Sequence, residues 1–185
     1  ALDALAEELA GAERFAFDTE ATDVRAMTAT MVGISFSTTP GRGSYVPVGH
    51  ITGEQLPLEL VRARLAPALA RAGVPKYAHN AGYDVMLLRR HGFEVAGPLF
   101  DTMIAAWLID PATESLGLKN LVWSRLGIEM TQIQELIGTG RGRKTMAEVE
   151  IARCGPYACA DADMALRLYD VLEPELREKQ LWSLY

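Results

Sequence analysis

The chain is poor in the residues that many functions depend on. It has two cysteines, Cys154 and Cys159, and three histidines, His50, His79 and His91. Two thiols five positions apart form no metal-site spacing, so reduced cysteines in a cytoplasmic protein are expected. No apolar run is long enough to span a bilayer, and no charged-then-apolar leader stands at the start of the sequence, so no membrane partner is expected. Cations are also in deficit. Eighteen Lys and Arg face twenty-four Asp and Glu, for a formal net charge of −6. That balance argues against a broad basic surface for nucleic acid. Any contact with phosphate must be local, or mediated by bound cations. Internal repeats and low-complexity linkers are missing too, and 185 residues suffice for one domain with a sizeable core.

What is present is an alternating pattern of short elements. Ala1–Ala10 carries Leu2, Leu5 and Leu9 at helical spacing, with Gly11 as a stop. A strand over Arg14–Thr19 is followed by apolar strands at Met31–Ser37 and Ser44–Val48, joined by the turn residues Pro40–Gly43. These form an antiparallel meander, with Pro47 favouring an edge position. Helix is predicted over Gln55–Ala72, with a kink at Pro67. A short strand at Val74–Ala78 precedes a helix over Ala81–Arg90, with Asn80 as its cap. Further helices are predicted at Asp101–Ile109, Leu116–Leu126 and Met146–Arg153. A break at Gly155-Pro156 then precedes a long helix over Tyr157–Glu175, and helical polarity continues through Leu176–Tyr185. Strands that begin as a meander and continue in alternation with helices imply an α/β domain with a mixed sheet.

The organising stretch is Phe15-Ala-Phe-Asp-Thr-Glu20, an apolar strand ending in two carboxylates. Strand side chains alternate, so Asp18 and Glu20 share a face, and such a pair repels unless a cation or proton lies between. Asn80-Ala-Gly-Tyr-Asp84 places Asn80 and Asp84 one helical turn apart on one face. Tyr157-Ala-Cys-Ala-Asp161 repeats that geometry with a phenol and a carboxylate. Each motif taken singly has an ordinary structural explanation: a solvated strand end, complementation of a helix dipole, an incidental surface pair. Together, one strand and two helices supply four carboxylates, and oxygen-only ligation suits Mg²⁺ or Mn²⁺. Two such ions about 3.5–4 Å apart can clamp the attacking and leaving oxygens of a phosphodiester. An acidic protein could bind a polyanion in that way.

At these residues the chain resembles the DEDD exonuclease superfamily. Phe15–Glu20 is similar to its first motif, His79–Asp84 to its second and Tyr157–Asp161 to its third. A tyrosine four positions before the last aspartate marks the DEDDy subgroup. Met31–Ser37, Tyr45–His50 and Phe100–Met103 resemble the proofreading 3′–5′ exonuclease domain of bacterial family A DNA polymerases, the DNA polymerase I type. The resemblance implies an RNase H-like fold and two divalent metal ions, Mg²⁺ or Mn²⁺. Asp18, Glu20 and Asp161 would hold the first ion. Asp18 would also bridge to the second, which Asp84 would reach through water. Tyr157 would orient the attacking water. Thr19, Asn80, Val24 and His79 would lie near the terminal nucleotide of the substrate, a single-stranded DNA 3′ end. Close relatives often have Thr and Leu where this chain has Ala21 and Val24, and an aromatic residue where counting back from Tyr157 gives Ile133.

The expected function is therefore metal-dependent 3′–5′ hydrolysis of single-stranded or frayed DNA ends, releasing 5′-mononucleotides in proofreading. The alternatives are an RNase D-like trimmer of RNA and a non-catalytic structural domain of a polymerase. The expected organisation is an exonuclease domain over residues 1–175 and a helical extension over 176–185, leading to a polymerase domain of the same parent chain, with the domain itself a monomer. Asp101 is expected to cap a helix, and Asp163, about 200° around the helix from Asp161, to be structural. Arg141, Arg143 and Lys144 could follow a phosphate backbone or form a solvated loop. Trp107 and Trp123 are expected in the core, and His50 and His91 carry no constellation.

Overall fold

The computed structural model describes residues 1–113 and 115–185. Its elements are α1 (Leu2–Gly11), β1 (Phe15–Ala21), β2 (Met31–Thr39), β3 (Arg42–Pro47), α2 (Leu58–Leu69), β4 (Lys76–Ala78), α3 (Ala81–Arg90), β5 (Leu99–Asp101), α4 (Thr102–Ile109), α5 (Leu118–Leu126), α6 (Ile133–Ile137) and α7 (Ile151–Glu178). The strands form one mixed sheet in the order β3-β2-β1-β4-β5. The β1–β2 and β2–β3 pairs are antiparallel, and β1–β4 and β4–β5 are parallel. This is the expected meander extended by parallel strands. Sequence patterning did not mark β5, because three residues between Pro98 and a helix carry too little alternation to read.

Alternation along β1 divides the core. Phe15 and Phe17 join Ile34, Phe36 and the apolar faces of α1, α2 and α3. Ala16 faces the other way, into the layer formed by Tyr77, Phe100 and the α4, α5 and α7 side chains. The small side chain of Ala16 suits the helix that lies over it, because α7 crosses β1, β2 and β3 closely. At Gly43 on β3, a Cβ would stand 2.7 Å from the Cβ of Cys159 and 2.9 Å from its carbonyl oxygen. Only glycine permits that approach.

Several sequence expectations are corrected. α7 runs unbroken through Gly155-Pro156. Pro156 sits near the exposed start of the helix, where the lost bond to the Ala152 carbonyl can be replaced by water. The predicted helix over Met146–Arg153 is instead a 3₁₀ turn at Met146–Glu148 followed by the start of α7. Helical structure stops at Glu178, and Gln180 adopts a left-handed φ of 60°. The last residues fold back, so that Tyr185 stacks on Phe100 with ring centroids 4.8 Å apart. Trp107 and Trp123 are 50% and 62% exposed rather than core. On α4 the buried positions are Thr102, Ala105, Ala106 and Ile109, and on α5 they are Leu121 and Val122. At about 100° per residue, both tryptophans fall on the opposite side of their helices.

Lys76 on β4 is a fully buried cation. Its ammonium donates to the carbonyl oxygens of Arg71, Val74 and Ala96 at 2.8, 3.0 and 2.7 Å. It thereby ties the turn after α2 to the segment before β5 and fixes the start of the parallel half of the sheet. Lys76→Met retains the stem but strands three carbonyls. We expect a loss of about 2–4 kcal/mol of unfolding free energy, hence a Tm lower by roughly 4–16 °C in thermal unfolding. An unchanged Tm would show that water replaces the ammonium without cost.

Candidate active site

β1 outruns its parallel neighbour. β4 pairs only with Phe15 and Ala16, and its chain leaves at Ala78 to start α3. The rest of β1 has a free edge on that side. The Thr19 amide on this edge donates to Asp84 Oδ1 at 3.1 Å, and the Thr19 hydroxyl donates to the same oxygen at 2.5 Å. Thr19 points toward α3, so by alternation Asp18 and Glu20 point toward α7. There Asp161 meets them. Asp18, Glu20 and Asp161 each offer a carboxylate oxygen within 4.8 Å of the others. Asp84 lies behind this trio, held by Thr19, and acts on Asp18 as a neighbouring negative charge.

Burial sets the electrostatics. It pushes Asp18 and Glu20 well above the usual carboxylate range, and their neighbours' charges push them further. Burial also raises Asp161, with Lys119 opposing the shift. Asp84 is raised to about 7 by burial, against the hydrogen bonds from Thr19. Tyr157, one turn before Asp161 on α7, is raised by burial and then by the Asp161 charge, so its phenol stays protonated at neutral pH.

Asp101 links two helix starts. Its carboxylate accepts from Met103 at 2.9 Å and Ile104 at 3.4 Å, capping α4 as expected. It also accepts from Asn80 at 3.0 Å and Ala81 at 2.8 Å, and so satisfies the first amides of α3. The expected side-chain cap by Asn80 is therefore corrected: Asn80 is left-handed at φ 60°, and its side chain makes no capping bond. With Asp101 serving both helices, the Asn80 side chain faces a cleft.

That cleft, of about 540 Å³, opens beside Glu20. Thr19, Val24, Asn80 and Ile133 line it. Arg143 and Lys144, both exposed, also line it, which places two cations of the Thr139–Thr145 loop at the cleft. His79 is not on the cleft wall. Its Nδ1 lies 2.9 Å from the Thr102 hydroxyl, and burial pushes its pKa down to about 4, so its imidazole is neutral at pH 7. Asp163 points away from the site, accepting from the Gly41 amide at 2.7 Å and pairing with Arg167.

Two features escaped the sequence. His50 does belong to a constellation: its Nε2 lies 2.7 Å from the Tyr45 hydroxyl and its Nδ1 lies 2.9 Å from the Val149 carbonyl. The Cys154 thiol donates to the same hydroxyl at 3.4 Å. The Tyr45 ring covers Gly33, the β2 partner of Glu20, and a Cβ at Gly33 would overlap it at 2.2 Å. The second feature is Lys119, which ion-pairs with Asp161. A cation in the first turn of a helix opposes the dipole there, and α5 has no acidic residue in that turn. That mismatch was the available signal.

Comparison with known proteins agrees with this geometry. The sequence model of a family described as 3′–5′ exonuclease matches residues 1–177. DNA polymerase I of Chloroflexus aurantiacus is 40% identical over 188 residues, which cover 100% of this chain and 20% of that protein. DNA polymerase I of Pseudomonas aeruginosa is 33% identical, covering 94% of this chain and 20% of its own. The chain thus spans about a fifth of the length of these relatives. Among solved structures, Pol1 of M. smegmatis superposes with a TM-score of 0.74 at 24% identity, covering 99% of this chain and 27% of that one. Escherichia coli RNase D gives 0.72 at 20% identity, covering 96% and 43%. These two likenesses show a shared RNase H-like fold. The family match over residues 1–177, with relatives this similar, places the chain in the 3′–5′ exonuclease family carried by family A DNA polymerases.

Proposed function

We propose that this domain is a metal-dependent exonuclease that removes nucleotides from single-stranded or frayed DNA 3′ ends, releases 5′-mononucleotides and so proofreads for a polymerase domain in the same parent chain. The observation that carries the reading is the convergence of Asp18, Glu20 and Asp161 beside the cleft. The donor set fits a hard divalent cation, because all three residues offer carboxylate oxygen. Asp18, Glu20 and Asp161 would hold one Mg²⁺ or Mn²⁺, Asp18 and, through water, Asp84 would serve a second, and the ions would supply charge neutralisation and Lewis acidity at the scissile phosphate.

The chain's own residues have separable roles in this reading. Asn80 and the Thr19 backbone border the cleft where the last nucleotide would lie. Val24 and Ile133 offer apolar surface to its base. Arg143 and Lys144 face the cleft and can meet the phosphate backbone locally, which suits a protein of net negative charge. Tyr157 keeps its proton, so it holds the attacking water in line rather than accepting a proton from it. A mismatched end frays at lower cost than a paired one, giving selectivity without base readout.

The direct test is digestion of a 3′-unblocked, end-labelled DNA strand with Mg²⁺ or with EDTA. Stepwise 3′–5′ shortening to mononucleotides is expected only with metal, and Asp18→Ala should retain less than about a tenth of the rate, a barrier increase above ~1.4 kcal/mol. Release of internal fragments, or equal rates in EDTA, would contradict the reading. Faster digestion of a matched RNA strand would favour the RNase D-like alternative, and absence of cleavage in a folded, metal-loaded protein would favour a structural domain.

Tyr157→Phe should slow single-turnover hydrolysis roughly 10–1,000-fold, about 1.4–4 kcal/mol. The loss should be smaller than for Asp18→Ala or Asp161→Ala, and the pH profile should keep its shape. A pH limb present in the wild type and missing from the phenylalanine variant would instead show that the phenol titrates during the reaction.

The raised carboxylates also predict how stability depends on pH. The folded-state pKa values of Asp18, Glu20 and Asp84 lie above their unfolded values, so the folded protein binds more protons than the unfolded chain. Their favourable contribution is complete below about pH 4, and Asp84's part is lost as pH rises through about 7. In EDTA, Tm should therefore fall between pH 6 and pH 8. Saturating Mn²⁺ should raise Tm more at pH 8 than at pH 6, because ligation requires the deprotonated carboxylates. A metal-independent Tm across this window would show that the cluster is not the binding site.

A further inference from the structure

Lys119 pairs with Asp161, and its positive charge also acts on Asp18 and Glu20. It reaches them from α5, a different element from those that carry the three carboxylates. Its ammonium pairs with Asp161 Oδ1, and the two side chains are only 15% and 10% exposed. The same nitrogen lies 4.2 Å from the centroid of the Tyr157 ring. One cation thus holds both Asp161 and Tyr157, through charge at one and through the ring quadrupole at the other. The position runs against local preference, because a lysine in the first turn of a helix faces the positive end of the dipole. A residue that breaks a local rule and is largely buried needs a compensating interaction, and here the compensation is the carboxylate cluster itself.

The carboxylate that Lys119 pairs with belongs to the trio whose donors best fit a divalent ion. We infer that Lys119 is a resident counter-cation: it neutralises Asp161 while the cluster is metal-free and gives up that carboxylate when a divalent ion binds, so that ammonium and metal compete for the same carboxylate. The inference rests on the metal-dependent reading above. It makes Lys119 a positioning residue that keeps Asp161 and Tyr157 in place between turnovers and raises the metal concentration needed to load the site.

The test is Mn²⁺ titration calorimetry on the EDTA-treated, dialysed protein, with thermal unfolding in EDTA and in saturating Mn²⁺. Lys119→Met keeps the apolar stem and removes the charge, and Lys119→Arg keeps the charge. The methionine variant should bind Mn²⁺ at least about fivefold more tightly, the lower end of ordinary coupling between two sites. It should unfold at a lower temperature in EDTA and recover part of that loss in Mn²⁺, while the arginine variant stays near the wild type in affinity. Lys119→Gln, which retains a donor for Asp161 without the charge, carries the same measurement if the methionine variant does not fold. A purely structural lysine would lower Tm equally with and without Mn²⁺ and leave affinity unchanged or weaker, and that result overturns the inference alone. A folded wild type that takes up no Mn²⁺ overturns the metal-dependent reading and this inference with it.

Discussion

Carboxylates crowded into a space with little water repel one another, and the protein has to accommodate that repulsion before it can use it. Asp18, Glu20, Asp84 and Asp161 are brought together by a strand and two helices that the hydrophobic layers fix in place, so the charges cannot simply move apart. Relief comes locally. Thr19 gives Asp84 two hydrogen bonds. Lys119 gives Asp161 a counter-charge. What remains is relieved by protons, because burial and mutual repulsion raise Asp18 and Glu20 well above the usual carboxylate range. Shifted carboxylates in a cleft are a familiar mark of a functional site, and here the shift has a structural cause that can be traced side chain by side chain.

The support around the cluster is correspondingly over-determined. Asp101 caps α4 and α3 with one carboxylate, and its own amide donates to the Tyr185 hydroxyl at 2.5 Å. Lys76 anchors the parallel strands from inside the sheet. Tyr45, His50 and Cys154 join β3 to the beginning of α7, the helix that carries Tyr157 and Asp161. Asp101 fixes the backbone three and four residues before Asp84, and Cys154 lies one turn before Tyr157. Positional precision of this kind matters for phosphodiester chemistry, which depends on alignment more than on reactive side chains.

Much of this was legible in the sequence, for physical reasons. Asp18 and Glu20 follow strict strand alternation, and the pairs Asn80/Asp84 and Tyr157/Asp161 follow helical spacing, so their faces could be assigned without coordinates. The parts that stayed hidden depend on distant neighbours. Lys119 lies 42 residues from Asp161, and no periodicity connects them. Asn80 looked like a cap because the residue before a helix usually is one, but Asp101, 21 residues away, took the role. Pro156 looked like a break because proline propensity is local, whereas the continuity of α7 is set by the sheet beneath it. Trp107 and Trp123 looked like core because they are apolar, yet close helix packing favoured the alanines and Val122 on the inner faces.

The free edge of β1 has a further consequence. From this strand the chain proceeds to β2 on one side, while β4 lies on the other, so β1 is where the connectivity of the sheet reverses direction. In open α/β sheets such a switch point leaves a crevice beyond the strand ends, whatever residues line it. The location of the cleft is thus a property of the strand order, and its character is a property of the segments that rim it, Thr22–Val24 and Arg143–Thr145 among them. Those two segments lie outside the sheet and its hydrophobic layers. Substrate preference can therefore diverge among proteins of this architecture by exchange of rim residues, while the scaffold that aims the carboxylates stays under separate and stricter constraint.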